Sequence, residues 1–277
     1  MRSLIAAALG LVAILLAAAA LPSAWLERNV FREAGWVSLA APMAEDPQFR
    51  SALSAAVVED LDGRLDLPPG FESLAVPVIE RAADRLAELD GFDQAWEESL
   101  AASHRLSLQD RQHPGLAVEL APLADLAARD VEQSLGIEVP DAGNMVVQTG
   151  GPAINRYVAV AGQAAAAWPW LAAGAVVTAA GAVLAARRRA AAAFWLGLSA
   201  VAAGAVLWLA AGNLPVLARQ VSADALADAF AGRLAELAMQ DFQPWAAALA
   251  VAGLAAAAAG LLLLLVGRRT GGPGPSR

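Results

Sequence analysis

Four long apolar runs divide the chain into spans and polar stretches. They cover residues 4–21, 164–186, 190–211 and 245–266, and no Asp, Glu, Arg or His interrupts any of them. A helix needs about 20 predominantly apolar residues to cross the hydrocarbon core of a bilayer, and stretches of about 18 already qualify. The pattern therefore predicts four transmembrane helices.

The longer polar stretch, residues 25–163, has helical periodicity. Apolar residues recur at every third or fourth position over 46–61, 75–89, 92–108 and 121–135. This spacing places them on one face of each segment and is typical of amphipathic helices. A helical domain is therefore expected between the first and second spans.

Local signals refine this domain. Asp46 followed by Pro47 predicts a helix N-cap and a first helical position. Residues 137–139 and 145–148 flank a turn sequence and predict a short β-hairpin, and residues 152–163 predict a helix that continues into the second span. The predicted fold is mainly α: a four-helix transmembrane bundle plus an α-helical extracytoplasmic domain with at most a short β-hairpin.

The shorter polar stretch, residues 212–244, predicts one more amphipathic helix. Its apolar face is formed by Leu226, Phe230, Leu234 and Leu237. Residues 240–244 end in a proline and are expected to return the chain to the membrane.

The charges around the spans are segregated by sign. Seven of the 19 basic residues flank one set of span ends, whereas all 27 acids lie beyond the other ends. The flanking arginines are Arg2, Arg187, Arg188, Arg189, Arg268, Arg269 and Arg277. Because basic loops stay in the cytoplasm, both termini and the arginine turn are predicted to be cytoplasmic. The expected membrane-interface anchors at the outer ends are Trp25, Trp168, Trp170, Trp208 and Trp245.

The predicted localisation is the cell membrane, with a multi-pass topology. The expected organisation is a first span in 1–24, an extracytoplasmic helical domain in 25–163, spans in 164–186, 190–211 and 245–266, a cytoplasmic turn at 187–189, a short extracytoplasmic segment in 212–244 and a disordered cytoplasmic tail in 267–277. The first run also has features of a secretory signal peptide, since Arg2 precedes it and small residues follow. Its length and Pro22 favour an uncleaved anchor.

Composition narrows the classes of function. The net charge is −8, and the acids concentrate in the predicted external segments, so nucleic acid is not an expected partner. The chain contains no cysteine, which excludes disulfides, thiolate metal sites and thiol nucleophiles. The expected partners are the lipid bilayer and either an unidentified protein or a second copy associating through small-residue helix faces such as Gly253 and Ala257.

Few residues are candidates for chemistry. The spans contain no ionisable side chain, and Thr178 and Ser199 are expected to bond their own helices. His104 lies on the apolar stripe of its helix and is interpreted as a hydrogen-bonded core imidazole, with catalysis and metal binding as weaker alternatives. Arg156 with Tyr157, or Arg219, is expected to join the two external segments through an ion pair with an acid. No catalytic, cofactor or metal site is predicted, so the protein is not expected to be an enzyme.

The order of several residues resembles a known group of proteins. The chain is similar to the uncharacterised four-span integral membrane proteins of actinobacteria. The resemblance rests on three motifs in this order: the segment from Asn29 through Trp36 to Pro47, then Phe92-x-x-x-Trp96 with His104 eight residues later, and then Arg156-Tyr157 before a Trp-flanked span. The resemblance implies one large extracytoplasmic helical domain, and it implies no known activity.

Two hypotheses about the function follow from the sequence. The favoured hypothesis is a non-enzymatic envelope scaffold, sensor or partner-binding module. The alternative is an accessory membrane subunit of a transport or export system.

Overall fold

The fold is built almost entirely from helices, as predicted. A computed structural model describes residues 2–51, 85–108, 117–135, 146–148, 152–218 and 225–269. In chain order the elements are α1 (Arg2–Asn29), α2 (Glu33–Ala40), a 3-10 helix (Ala41–Glu45), α3 (Phe92–Leu108), β1 (Ala117–Glu119), α4 (Ala121–Leu135), β2 (Val146–Gln148), α5 (Pro152–Ala166), α6 (Trp168–Ala185), α7 (Arg189–Ala211), α8 (Leu214–Ala218) and α9 (Ala225–Arg269). Residues 47–51 are also helical.

The chain divides into two compact units. The span unit consists of Met1–Glu27, Ala161–Asn213 and Met239–Arg277, and the second unit consists of Arg28–Val160 and Leu214–Ala238. Within the described residues, four helical stretches are long and apolar enough to cross a membrane: Arg2–Asn29, Trp168–Ala185, Arg189–Ala211 and Ala229–Val266. Large apolar side chains point outward from them, as lipid-facing helices require. The chain is thus a multi-pass membrane protein.

Helices α7 and α9 approach each other through glycines. A Cβ atom on Gly197 would lie 2.4 Å from the backbone nitrogen of Ala257, and one on Gly253 would lie 2.7 Å from the carbonyl oxygen of Gly197. One on Gly260 would lie 2.5 Å from the backbone nitrogen of Phe194. Since residue numbers fall along α7 as they rise along α9, the helices are antiparallel. We call this contact the glycine seam; it consists of Gly197, Gly204, Gly253 and Gly260.

Helix α1 lies against α6 and α7. Added Cβ atoms on Gly174 and Gly181 would contact the side chains of Leu16 and Leu9 at 3.1 and 3.4 Å. One on Gly10 would lie 3.4 Å from the Leu196 side chain. The two pairings with α6 make α1 antiparallel to α6. Helix α7 follows α6 after a short turn and packs against it, so α1 runs parallel to α7.

The second unit has a continuous apolar core. Phe49, Trp96, Leu100 and Leu123 are buried in it, and part of α9 packs against it through Phe230, Leu234 and Leu237. The described residues of the predicted stripes of α3, α4 and the shorter polar stretch contribute to this core, and the predicted bounds of α3 and α4 are confirmed. Most of the predicted helix 75–89 lies outside the described residues.

The strand at Val146–Gln148 was predicted, but its described partner differs from the expected one. It pairs antiparallel with Ala117–Glu119, with Ala117 opposite Gln148. The expected partner, residues 137–139, lies outside the described residues. A two-stranded ribbon is marginal alone, and β1 is supported by α3, because the Ser103 hydroxyl accepts a hydrogen bond from the Glu119 backbone N–H at 2.8 Å.

Three helix ends also differ from the sequence predictions. Residues 240–244 do not form a separate segment that returns the chain to the membrane, because α9 continues through Pro244. A break in the helix near the membrane would leave several backbone groups without hydrogen bonds, whereas one proline within the helix removes a single N–H donor. Helix α1 extends beyond residue 24 to Asn29. Helices α5 and α6 are separated at Ala167 rather than continuous, since Pro169 lacks the N–H that an unbroken helix would use.

Candidate functional site

His104 is the most enclosed titratable side chain of the candidates. It is only 4% exposed, and its Nε2 lies 3.0 Å from the carbonyl oxygen of Val30, in the segment that follows α1. Because a carbonyl can only accept, Nε2 is the ring nitrogen that donates in this contact. The ring also lies 6.5 Å from that of Trp36, tilted by 32°. This is the environment of the hydrogen-bonded core imidazole that the sequence predicts.

The chemistry open to His104 is narrow. Its Nδ1 has no hydrogen-bond partner within the part of the chain that the structure describes. A general base needs a reachable proton and commonly a second group that orients it. In the described ranges no three His, Asp or Glu side chains come together as metal ligands. The neighbouring ion pair of Arg105 and Glu33, 3.0 Å apart, is about half exposed, so it contributes little to the stability of the fold.

Two serines beside His104 form a polar ladder that sequence reasoning missed. The Ser99 hydroxyl donates to the carbonyl oxygen of Glu119, and the Ser103 hydroxyl donates to the carbonyl oxygen of Ser99 at 2.6 Å. Ser103 also accepts from the Glu119 N–H. Their spacing of four residues on the buried face of α3 was the available signal. The ladder attaches β1 to α3, so its function is structural.

Asp46 joins two segments of the second unit. Its Oδ1 accepts from the backbone N–H groups of Gln48 and Phe49, both at 2.9 Å, as the predicted N-cap should. Its Oδ2 lies 3.6 Å from Nε of Arg233 on α9. Arg233 also contacts Glu236 at 3.2 Å. We call Asp46 with Arg233 the cap pair.

The cap pair is the kind of contact that the sequence assigned to other residues. Arg219 lies outside the described residues, Arg156 is exposed on α5, and the backbone of Tyr157 lies in the same helix. Arg233 makes an ion pair of this kind with Asp46, and the prediction for Arg219 stays a prediction. Sequence reasoning did not select it because α9 was expected to end before the fourth span, so Arg233 looked like one more exposed charge on a surface helix.

The predicted interface tryptophans gather at one end of the span unit. Trp168, Trp170 and Trp208 are exposed, and the pairings of α1 with α6 and of α7 with α9 place all five at the same end. Trp25 differs from the expected pattern, because it is 7% exposed and its Nε1 donates to Oδ1 of Asp241 at 2.6 Å. Its ring also meets Phe242 edge to face at 5.8 Å. Trp25 thus joins α1 to α9.

The arginines lie at the opposite end. Arg2, Arg187, Arg188 and Arg189 are exposed, and Arg268 and Arg269 end α9 at that side.

Inside the spans, the Thr178 hydroxyl donates to the carbonyl oxygen of Gly174 at 2.6 Å, so it bonds its own helix as expected.

The geometry thus consists of a structural polar core in the second unit and a span unit with an aromatic and an arginine end. Neither arrangement by itself defines a reaction. In comparisons with known proteins, no family model, no curated protein and no solved structure matches this chain.

Proposed function

We propose that this is a non-enzymatic protein of the cell envelope whose acidic extracytoplasmic unit binds a partner protein, as a scaffold or sensor. In this proposal the arginine end of the span unit faces the cytoplasm and the tryptophan end faces the outside. Arginine-rich loops are retained in the cytoplasm and aromatic rings favour the interface, which supports this orientation.

The main observation that supports the proposal is the length and packing of helix α9. It is one continuous helix of 45 residues. Arg233 and Phe230 on it hold the second unit together, through Asp46 and through a ring contact with Phe49 at 6.2 Å. Gly253 and Gly260 on the same helix form the glycine seam with α7. A partner that shifts α9 at its first residues therefore acts on a helix that is also packed within the membrane.

The partner is expected to have a basic surface. All 27 acids lie in the segments assigned to the outside, against 12 of the 19 arginines. On α3, Asp93 and Glu97 are exposed on the face opposite the core. Complementary charge speeds encounter and selects partners.

The resemblance to uncharacterised four-span proteins of actinobacteria remains part of the proposal. Of the motif residues, Trp96 and His104 are buried in the second unit, and Trp36 is partly buried against its core. The transport alternative has less support, because the glycine seam brings backbone against backbone and leaves no polar path there.

Affinity purification of the intact protein from its own membrane tests the proposal. The wild-type protein is compared with Asp93→Asn/Glu97→Gln, which removes two exposed acids, and with Arg129→Gln, an exposed control on α4. We expect one or a few basic proteins to co-purify with the wild type and the control at comparable amounts, and severalfold less with the double variant. Identical sets of co-purified proteins from all three, or none from any, contradict the proposal.

A further inference from the structure

A groove opens at the arginine end of the span unit, between α1, α6 and α7. Its volume is about 690 Å³, which is within the range of about 300–1,000 Å³ typical of small-molecule sites. Small residues create it: Ala6, Ala7, Gly10, Ala182, Ala191 and Ala192. Leu11, Ile14 and Leu196 line the part that is farther along the helices from the arginines, so its wall is largely apolar.

The mouth of the groove is cationic. Arg187 and Arg188 line it, and both are exposed. Neither has a carboxylate within ion-pair distance in the ranges that the structure describes. The first turn of α7 adds to this charge, since it has no side-chain cap and its backbone N–H groups face the same end.

The length of the groove matches one leaflet of a bilayer. Along α1 it extends from Ser3 to Ile14, and along α7 from the arginine turn to Ser199. At about 1.5 Å per residue, each distance is about 16 Å. Half of a hydrocarbon core of about 30 Å is about 15 Å.

We propose that this groove binds one anionic phospholipid, with an acyl chain along its apolar wall and the phosphate held by Arg187 and Arg188. A guanidinium group binds phosphate through parallel N–H donors, and basic sites between spans recognise anionic headgroups. The acyl chain fills space that the small side chains leave open, and a water-soluble phosphate would leave that apolar wall uncovered. This site is separate from the partner-binding activity proposed above.

The test uses purified, delipidated full-length protein and native mass spectrometry. The probes are phosphatidylglycerol and phosphatidylcholine with identical acyl chains, and glycerol 3-phosphate as a headgroup without a chain. We expect the wild type to retain one phosphatidylglycerol in preference to phosphatidylcholine by a factor on the order of 30, at about 1 kcal/mol for each arginine. Glycerol 3-phosphate should not be retained.

Two pairs of variants separate the charge from the groove. Arg187→Gln/Arg188→Gln should abolish the preference for the anionic lipid, whereas Arg2→Gln, an exposed arginine that does not line the groove, should preserve it. Ala7→Phe fills the groove and should prevent retention of either lipid, whereas Ala8→Phe, the adjacent exposed position outside the groove, should not. Circular dichroism of each variant verifies that it is folded.

Several outcomes overturn the proposal. Equal retention of the two lipids by the wild type removes the role of the arginines. Retention by Ala7→Phe at the wild-type level places the lipid elsewhere. A dimer that disappears in Ala7→Phe while no lipid is bound assigns the groove to a second copy of the chain.

Discussion

At the scale of single residues, the polar groups of the second unit are used for structure. His104 bonds Val30, the serines of the polar ladder bond the backbone of Glu119, and Asp46 caps a helix. Each satisfies a backbone group that would otherwise be costly to bury. Sequence periodicity identified His104 as buried, and the Asp-Pro pair identified the cap. Sequence patterns could not identify Val30 and Glu119 as hydrogen-bond partners. Val30 lies 74 positions from His104, and Glu119 lies 16 positions from Ser103.

Substitution of His104 tests its structural role. His104→Ala removes a buried ring and leaves the Val30 carbonyl without a donor, so we expect a loss of about 3 kcal/mol in the free energy of unfolding. His104→Gln restores a donor and should lose less. Denaturation in detergent, followed by the total tryptophan fluorescence, to which the buried Trp96 contributes, measures the loss. The exposed neighbour substitution Arg105→Gln should change stability by less than about 0.5 kcal/mol; a His104→Ala protein as stable as this control would exclude the structural role.

The cap pair is suited to a double-mutant cycle. Asp46→Ala loses the cap, at about 1 kcal/mol, and also the ion pair, while Asp46→Asn retains the cap and loses only the charge. Arg233→Gln leaves the cap intact. Both side chains are about one quarter exposed, so we expect a coupling energy of about 1 kcal/mol between Asp46→Asn and Arg233→Gln in chemical unfolding. Strictly additive effects would show that the pair contributes nothing.

At the scale of elements, the glycine seam determines how α7 and α9 meet. The sequence drew attention to Gly253 and Ala257, which are small residues four positions apart. The observed repeat is seven, with Gly197 and Gly204 on one helix and Gly253 and Gly260 on the other. In an alanine-rich chain many pairs of small residues are four positions apart, so this spacing does not identify the contact. The glycines that lie in the contact are determined by the antiparallel register of α7 and α9.

Glycine-to-alanine variants test the seam. Gly253→Ala places a methyl group 2.7 Å from the Gly197 carbonyl oxygen, where only backbone movement can relieve the overlap. We expect a loss of about 1–3 kcal/mol, seen as a lower melting temperature in detergent. Gly181→Ala is the matched control, because its methyl group would meet only the end of the Leu9 side chain at 3.4 Å. The control should be neutral or stabilising through helix propensity, and equal losses in the two variants would refute the seam.

At the scale of the whole molecule, the sequence predicted the four spans and the mainly α fold because apolar length and periodicity are local properties. It did not predict that α9 would continue through Pro244, since a proline near a polar stretch is also a turn signal. It expected α5 and α6 to be continuous, although Pro169 separates them. The partner of β2 was not predictable from local signals, because Ala117 and Gln148 are brought together by tertiary packing.

Single cysteines test the orientation in the membrane, and the chain offers a cysteine-free background. Glu97→Cys, on the exposed face of α3, should react with a membrane-impermeant maleimide in intact cells. Arg188→Cys, in the exposed turn before α7, should react only after permeabilisation. Ser103→Cys, at a buried position, should stay unreactive in both conditions and reports on folding. The reverse pattern for the first two would invert the topology.

The length of α9 has a mechanical consequence. At about 1.5 Å per residue, its 45 residues extend about 67 Å, more than twice the hydrocarbon core of about 30 Å. Helix α7, with 23 residues, is about 34 Å long and fits that core closely. Because the glycine seam brings the backbones of α7 and α9 into direct contact, a change in the tilt of one of these helices requires a change in the tilt of the other.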